Sequence, residues 1–155
     1  MRAVQPWKKF MRGRMRTRAA GCKRRSCAAS GESRSIAGMT VLNIADQKPF
    51  TTKDGSTIRS ILDRTNAPVE KQSLAEARVP AGTATQRHYH RLAEEFYFIL
   101  EGAGEMEIDG ETRDVKPGDA ILIPAGAWHT ITARETLRFL CCCAPPYAHE
   151  DTYFA

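Results

Sequence analysis

Short β-rich runs separated by turn signals occupy the chain from about residue 56 onward. STIRSIL (56–62) comes first, and QSLAEARV (72–79) alternates polar with apolar positions until Pro80 and Gly82 stop it. QRHYH (86–90) predicts a further short strand. EEFYFILEG (94–102) is apolar on both faces, and the period of two puts Glu95, Tyr97 and Ile99 on one side and Glu94, Phe96, Phe98 and Leu100 on the other. GEMEI (104–108) and ETRDV (111–115) flank Asp109-Gly110, the pattern of a hairpin with a two-residue turn. After the turn at Lys116-Pro117-Gly118-Asp119, three more strands are predicted in DAILIP (119–124), WHTITA (128–133) and TLRFLCCC (136–143). No long helical pattern competes. The elements therefore predict an all-β sandwich or barrel, while their spatial order is not expressed in the pattern.

Charge divides the chain in two. Residues 1–38 carry eleven Lys or Arg and a single acid, Glu32, for a net +10; the whole chain is +5, which leaves −5 on residues 39–155. The basic leader shows neither a helical stripe nor strand alternation, and SGESRSIAG (30–38) reads as a linker, so a disordered leader (1–38) and one β domain (39–155) are expected. A dispensable extension, with Met39 as an alternative start, is the leading reading of that leader. An organelle transit peptide and an arm for nucleic acid follow it. Trp7 and Phe10 alone do not interleave the charges with aromatics as a nucleic-acid arm would, and no apolar run approaches the roughly 20 residues of a membrane helix. Cys22 and Cys27 lie in the leader and Cys141, Cys142 and Cys143 in one run, a set unsuited to disulfides. Buried, reduced thiols, a reducing compartment and a cytoplasmic location are expected.

HYHRLAEEF (88–96) carries the candidate chemistry. On a strand, His88 and His90 project to the same face, and a metal ion is the obvious object for them to share. Gly82, His88, His90, Glu95 and Gly102 are separated by five, one, four and six residues; Gly118, Pro124, Gly126 and His129 by five, one and two. These two runs resemble the two signature motifs of the cupin superfamily, small jelly-roll barrels also described as double-stranded β-helices. The resemblance covers roughly residues 82–133, and its flanking strands extend it over most of 56–144.

The resemblance implies that His88, His90, Glu95 and His129 hold one divalent first-row ion (Fe, Mn, Ni or Zn) inside the barrel. Glu94 also follows His90 closely, but only Glu95 stands the required six residues before Gly102. Ala133 occupies a position where the second motif usually has asparagine, which weakens any link to the best-studied plant branch without touching a ligand. Tyr97, on the face of Glu95, and His149, in the tail APPYAHEDTYF (144–154), are candidate proton-handling residues, although a solvated tail is the expected state of that segment. Phe96, Phe98 and Leu100 need cover from a second sheet or another subunit, so a homodimer is expected; Trp128, opposite His129, is expected to pack or to serve an interface. The resemblance implies a small metal-dependent enzyme, of oxygenase, lyase or isomerase type, acting on a polar or carboxylate-bearing small molecule. A non-catalytic sensor or storage barrel is the alternative, because one fold hosts both.

Overall fold

Eleven strands and two 3-10 turns follow one another in the described residues, 38–155, of the computed structural model. The expectations for the leader up to residue 37, Cys22 and Cys27 included, lie outside them. The strands are β1 (Phe50–Thr51), β2 (Thr57–Leu62), β3 (Ser73–Val79), β4 (His88–His90), β5 (Glu94–Glu101), β6 (Gly104–Ile108), β7 (Glu111–Val115), β8 (Ala120–Ile123), β9 (His129–Ala133), β10 (Leu137–Ala144) and β11 (Thr152–Phe154). They form two antiparallel sheets, one of six strands ordered β1-β2-β3-β10-β5-β8 and one of five ordered β11-β4-β9-β6-β7. The architecture is the predicted all-β jelly roll.

Alternation builds the interior. On β5, Glu95, Tyr97 and Ile99 are buried while Glu94, Phe96 and Phe98 are exposed, so Glu94 faces away from the interior as expected. β10 turns Leu137, Phe139, Cys141 and Cys143 inward from the same sheet, and Met106 and Ile131 meet them from the other. Each large apolar side chain buried this way contributes roughly 1.5–3 kcal/mol.

Turn chemistry fixes where the strands enter. Asp109 and Gly110 both have positive φ (49° and 88°), as a two-residue hairpin requires. The hairpin tip is tied to the chain before β9: Asp109 N donates to Trp128 O at 2.8 Å, and Trp128 N donates to Asp109 Oδ1 at 3.0 Å. Gly102 ends β5 with a φ of +82°, and a Cβ there would stand 2.2 Å from the Thr136 carbonyl oxygen.

The tail corrects one expectation. Instead of lying in solvent, it returns along β4 as β11, pairing Thr152 with His90 and Phe154 with His88. Asp151 explains this, because its buried carboxylate accepts from Leu92 N (3.0 and 3.1 Å) and Ala93 N (3.0 Å). An otherwise polar tail thereby satisfies the β4–β5 turn. On the outer face of the six-stranded sheet, Phe96, Phe98 and Leu122 remain 44%, 39% and 58% exposed. Among the described residues no helix is long and apolar enough to cross a membrane.

Candidate metal centre

Register brings the histidines together before any side-chain torsion is chosen. His88 and His129 stand opposite one another on β4 and β9, with ring centroids 4.2 Å apart, and His90 follows two residues along the same face of β4. Glu95 reaches them from β5 of the facing sheet. Its Oε2 lies 3.3 Å from His90 Nε2 and 3.7 Å from His129 Nε2. One ligand atom from each of His88, His90, Glu95 and His129 lies within 4.8 Å of the other three, and all four residues are buried.

The outer ring nitrogens are committed elsewhere. His88 Nδ1 is 2.7 Å from Gln86 O, and His129 Nδ1 is 3.0 Å from Ala127 O. A carbonyl only accepts, so each Nδ1 carries the proton and each Nε2 presents a lone pair inward. Thr152 Oγ1, from the tail, takes His90 Nδ1 at 3.3 Å. Glu95 Oε2 and His129 Nε2 are buried and find no hydrogen-bond partner among the described residues. Two desolvated acceptors facing one another without a donor are costly, and a divalent cation satisfies both at once. Imidazole and carboxylate together suit a first-row ion, so the residues present fit the group that the motifs imply.

Electrostatics agree. Burial acts to raise the Glu95 carboxyl, but the nearness of His90, its Nε2 3.3 Å away, with His129 behind, outweighs it and holds the group below its usual range. Burial acts to lower His90, yet Glu95 and then Asp151 raise it. Burial, followed by repulsion from His88, pushes His129 down to about 4. Glu95 is thus ionised and His129 neutral near pH 7, the forms that bind metal.

His88, His90 and Glu95 of the cluster lie on the wall of a cavity whose lining also includes Tyr97, Phe139, Cys141 and Cys143, the exposed Lys53, and Tyr147, Thr152 and Phe154 from the tail. Tyr97 packs 4.6 Å from Phe139 and 6.3 Å from the His129 ring, centroid to centroid. Burial first, then the charge of Glu95, raises its phenol well above the usual value of 10, so it is a protonated donor. His149 is exposed and does not line the cavity; its Nδ1 sits 3.5 Å from the hydroxyl of Tyr147, which does. Trp128 lies on the outside, its ring 4.7 Å from Tyr89 and beneath the Arg87 guanidinium at 5.2 Å. Cys141, Cys142 and Cys143 are free thiols, the first and last buried.

Two contributors escaped the sequence reading. Thr152 stands far from both motifs, in the tail that the sequence leads one to expect in solvent. Cys143 had the right parity to face inward, but its placement opposite Glu95 needed the β5–β10 register, which alternation alone does not supply.

The profile of the Cupin domain family matches residues 75–143, a span that contains the whole four-residue cluster. The chain belongs to the cupin family. Protein MJ1618 of Methanocaldococcus jannaschii is 50% identical over 107 residues, covering 68% of this chain and 86% of that protein. Dimethylsulfoniopropionate lyase DddW of Ruegeria pomeroyi is 35% identical over 82 residues, 52% of this chain and 53% of its own, so the match spans about half of that enzyme. Among solved structures, the ectoine synthase from P. lautus superposes with a TM-score of 0.63 at 26% identity, over 76% of this chain and 90% of that one.

Proposed function

We propose that the protein is a small metal-dependent enzyme acting on a polar or carboxylate-bearing small molecule, with lyase-type chemistry preferred to oxygen chemistry. The observation that carries this is the pair of buried, partnerless acceptors, Glu95 Oε2 and His129 Nε2, 3.7 Å apart beside the cavity that Glu95 lines. His88, His90 and His129 through Nε2, and Glu95 through Oε2, would hold the ion. When bound there, such an ion supplies a Lewis acid for a substrate oxygen. Tyr97, kept protonated, donates to an oxygen of the substrate and holds the proton that a leaving group takes. Lys53, exposed and on the cavity lining, attracts a carboxylate, while Ile58, Phe139 and Phe154 make part of the lining apolar. His149, in reach of the cavity through the Tyr147 hydroxyl, exchanges protons with solvent. The likeness to a dimethylsulfoniopropionate lyase supports lyase-type chemistry.

A panel of carboxylate-bearing substrates, dimethylsulfoniopropionate among them, offered to protein loaded in turn with Fe(II), Mn(II), Ni(II) and Zn(II), with and without air, tests this reading. Turnover that persists anaerobically and falls about 10²–10⁴-fold in Tyr97→Phe is expected. A strict need for O₂ would make the protein an oxygenase instead, and tight ligand binding without turnover by any loaded form would make it a binding barrel.

The same reading includes a homodimer. The outer face of the six-stranded sheet sets Phe96, Phe98 and Leu122 beside the ion-pair chain of Arg59, Glu76, Arg138 and Glu101. A face that carries apolar area and both charge signs is suited to pair with a second copy of itself about a two-fold axis.

A further inference from the structure

Among the described residues, Cys143 is the one thiol hydrogen-bonded to a residue of the candidate metal centre. β3, β10 and β5 are neighbours, and their registers place Ser73, Cys143 and Glu95 in one row across the sheet. All three are buried. Two hydrogen bonds anchor that row. Tyr147 N donates to Ser73 Oγ at 2.9 Å, which fixes the serine directly across the strand pair from Cys143. The Cys143 thiol in turn donates to Glu95 Oε1 at 3.3 Å. The thiol thus occupies one oxygen of the carboxylate, and the other oxygen is the one left without a partner.

That asymmetry has a consequence. A buried carboxylate held only by rotation about its last torsion can turn either oxygen, or both, toward a cation, because such terminal torsions are broad. A donor fixed to Oε1 removes that freedom. We propose that Cys143 is a positioning residue of the metal centre: it engages Glu95 Oε1 and thereby reserves Oε2 as the single carboxylate oxygen turned to the imidazoles. This rests on the reading that the cluster holds a divalent ion, and it assigns a role to a residue outside both sequence motifs. The thiol acts as a donor and remains reduced throughout; burial, then the Glu95 carboxylate it touches, disfavours the thiolate.

The test measures Co(II) affinity by chelator competition, together with the visible absorption spectrum of the Co(II)-loaded protein, for wild type, Cys143→Ser, Cys143→Ala and Cys143→Val. Serine keeps a donor in the row. Alanine removes it and leaves a gap, and valine removes it while filling the space, so a fault of packing alone separates from loss of the hydrogen bond. Circular dichroism shows which variants are folded. The expected result is an affinity about 10–100-fold weaker, with an altered spectrum, in both Cys143→Ala and Cys143→Val, and near-wild-type values in Cys143→Ser. Wild-type affinity and spectrum in the alanine and valine variants would overturn the proposal, and so would a serine variant that behaves like alanine. Should valine fail to fold, the serine–alanine contrast decides alone. If wild-type protein itself binds no Co(II), the metal reading fails, and Cys143 loses its role with it; that outcome is distinguished by the absence of any difference from Glu95→Ala.

Discussion

His129 shows how one buried side chain links stability to metal binding. Its folded pKa of about 4 lies below the ordinary 6.5, with burial the main cause. Between those values the unfolded state binds more protons than the folded one, so the metal-free protein gains stability as pH rises from about 4 to 6.5 and loses it again on acidification. Thermal melts of the metal-free protein across this window should therefore slope more steeply for wild type than for His129→Ala; equal slopes would contradict the assignment. His90 acts in the opposite sense, because its folded pKa is raised: its contribution is present at low pH and fades as pH passes above that raised value. Gly102 concerns backbone alone. Since a Cβ would meet the Thr136 carbonyl at 2.2 Å and φ is +82°, Gly102→Ala should cost more than about 1 kcal/mol in denaturant unfolding, and a neutral result would mean the turn can relax.

At the scale of elements, the C-terminal segment does more than cap the barrel. Asp151 ties it to the β4–β5 turn, β11 extends the five-stranded sheet, and Thr152 holds the outer nitrogen of His90. Asp151→Ala leaves the Leu92 and Ala93 amides without their acceptor, which should cost about 1–3 kcal/mol in thermal or denaturant unfolding. Metal affinity should fall with it, as β11 and Thr152 lose their anchor; a variant with unchanged stability and affinity would show the tail to be incidental. The strands themselves were legible. Alternation on EEFYFILE separates Glu95, Tyr97 and Ile99 from Phe96 and Phe98, and Asp109-Gly110 marks its hairpin, because both signals are local consequences of pleat and turn geometry. β11 was not legible. TYF is short, follows two prolines and owes its pairing to a carboxylate that meets amides 58 and 59 residues away, a contact no local pattern records.

For the molecule as a whole, the four candidate ligands were readable as a set because the motif spacing encodes which strands carry them, while the order of strands that unites them appears only in the two sheets. The exposed row of Phe96, Phe98 and Leu122 belongs to this scale too. Sedimentation should find a dimer, and Phe98→Glu should convert it to monomer, whereas a wild-type monomer would remove the need for a second copy. The claim on which the rest depends is that side chains from β4, β5 and β9 chelate one cation. Elemental analysis of purified, metal-reconstituted protein addresses it directly: about one divalent ion per chain is expected in wild type and none in the His88→Ala/His129→Ala double variant. Stoichiometric metal retained by the double variant, or none bound by wild type, would contradict the account.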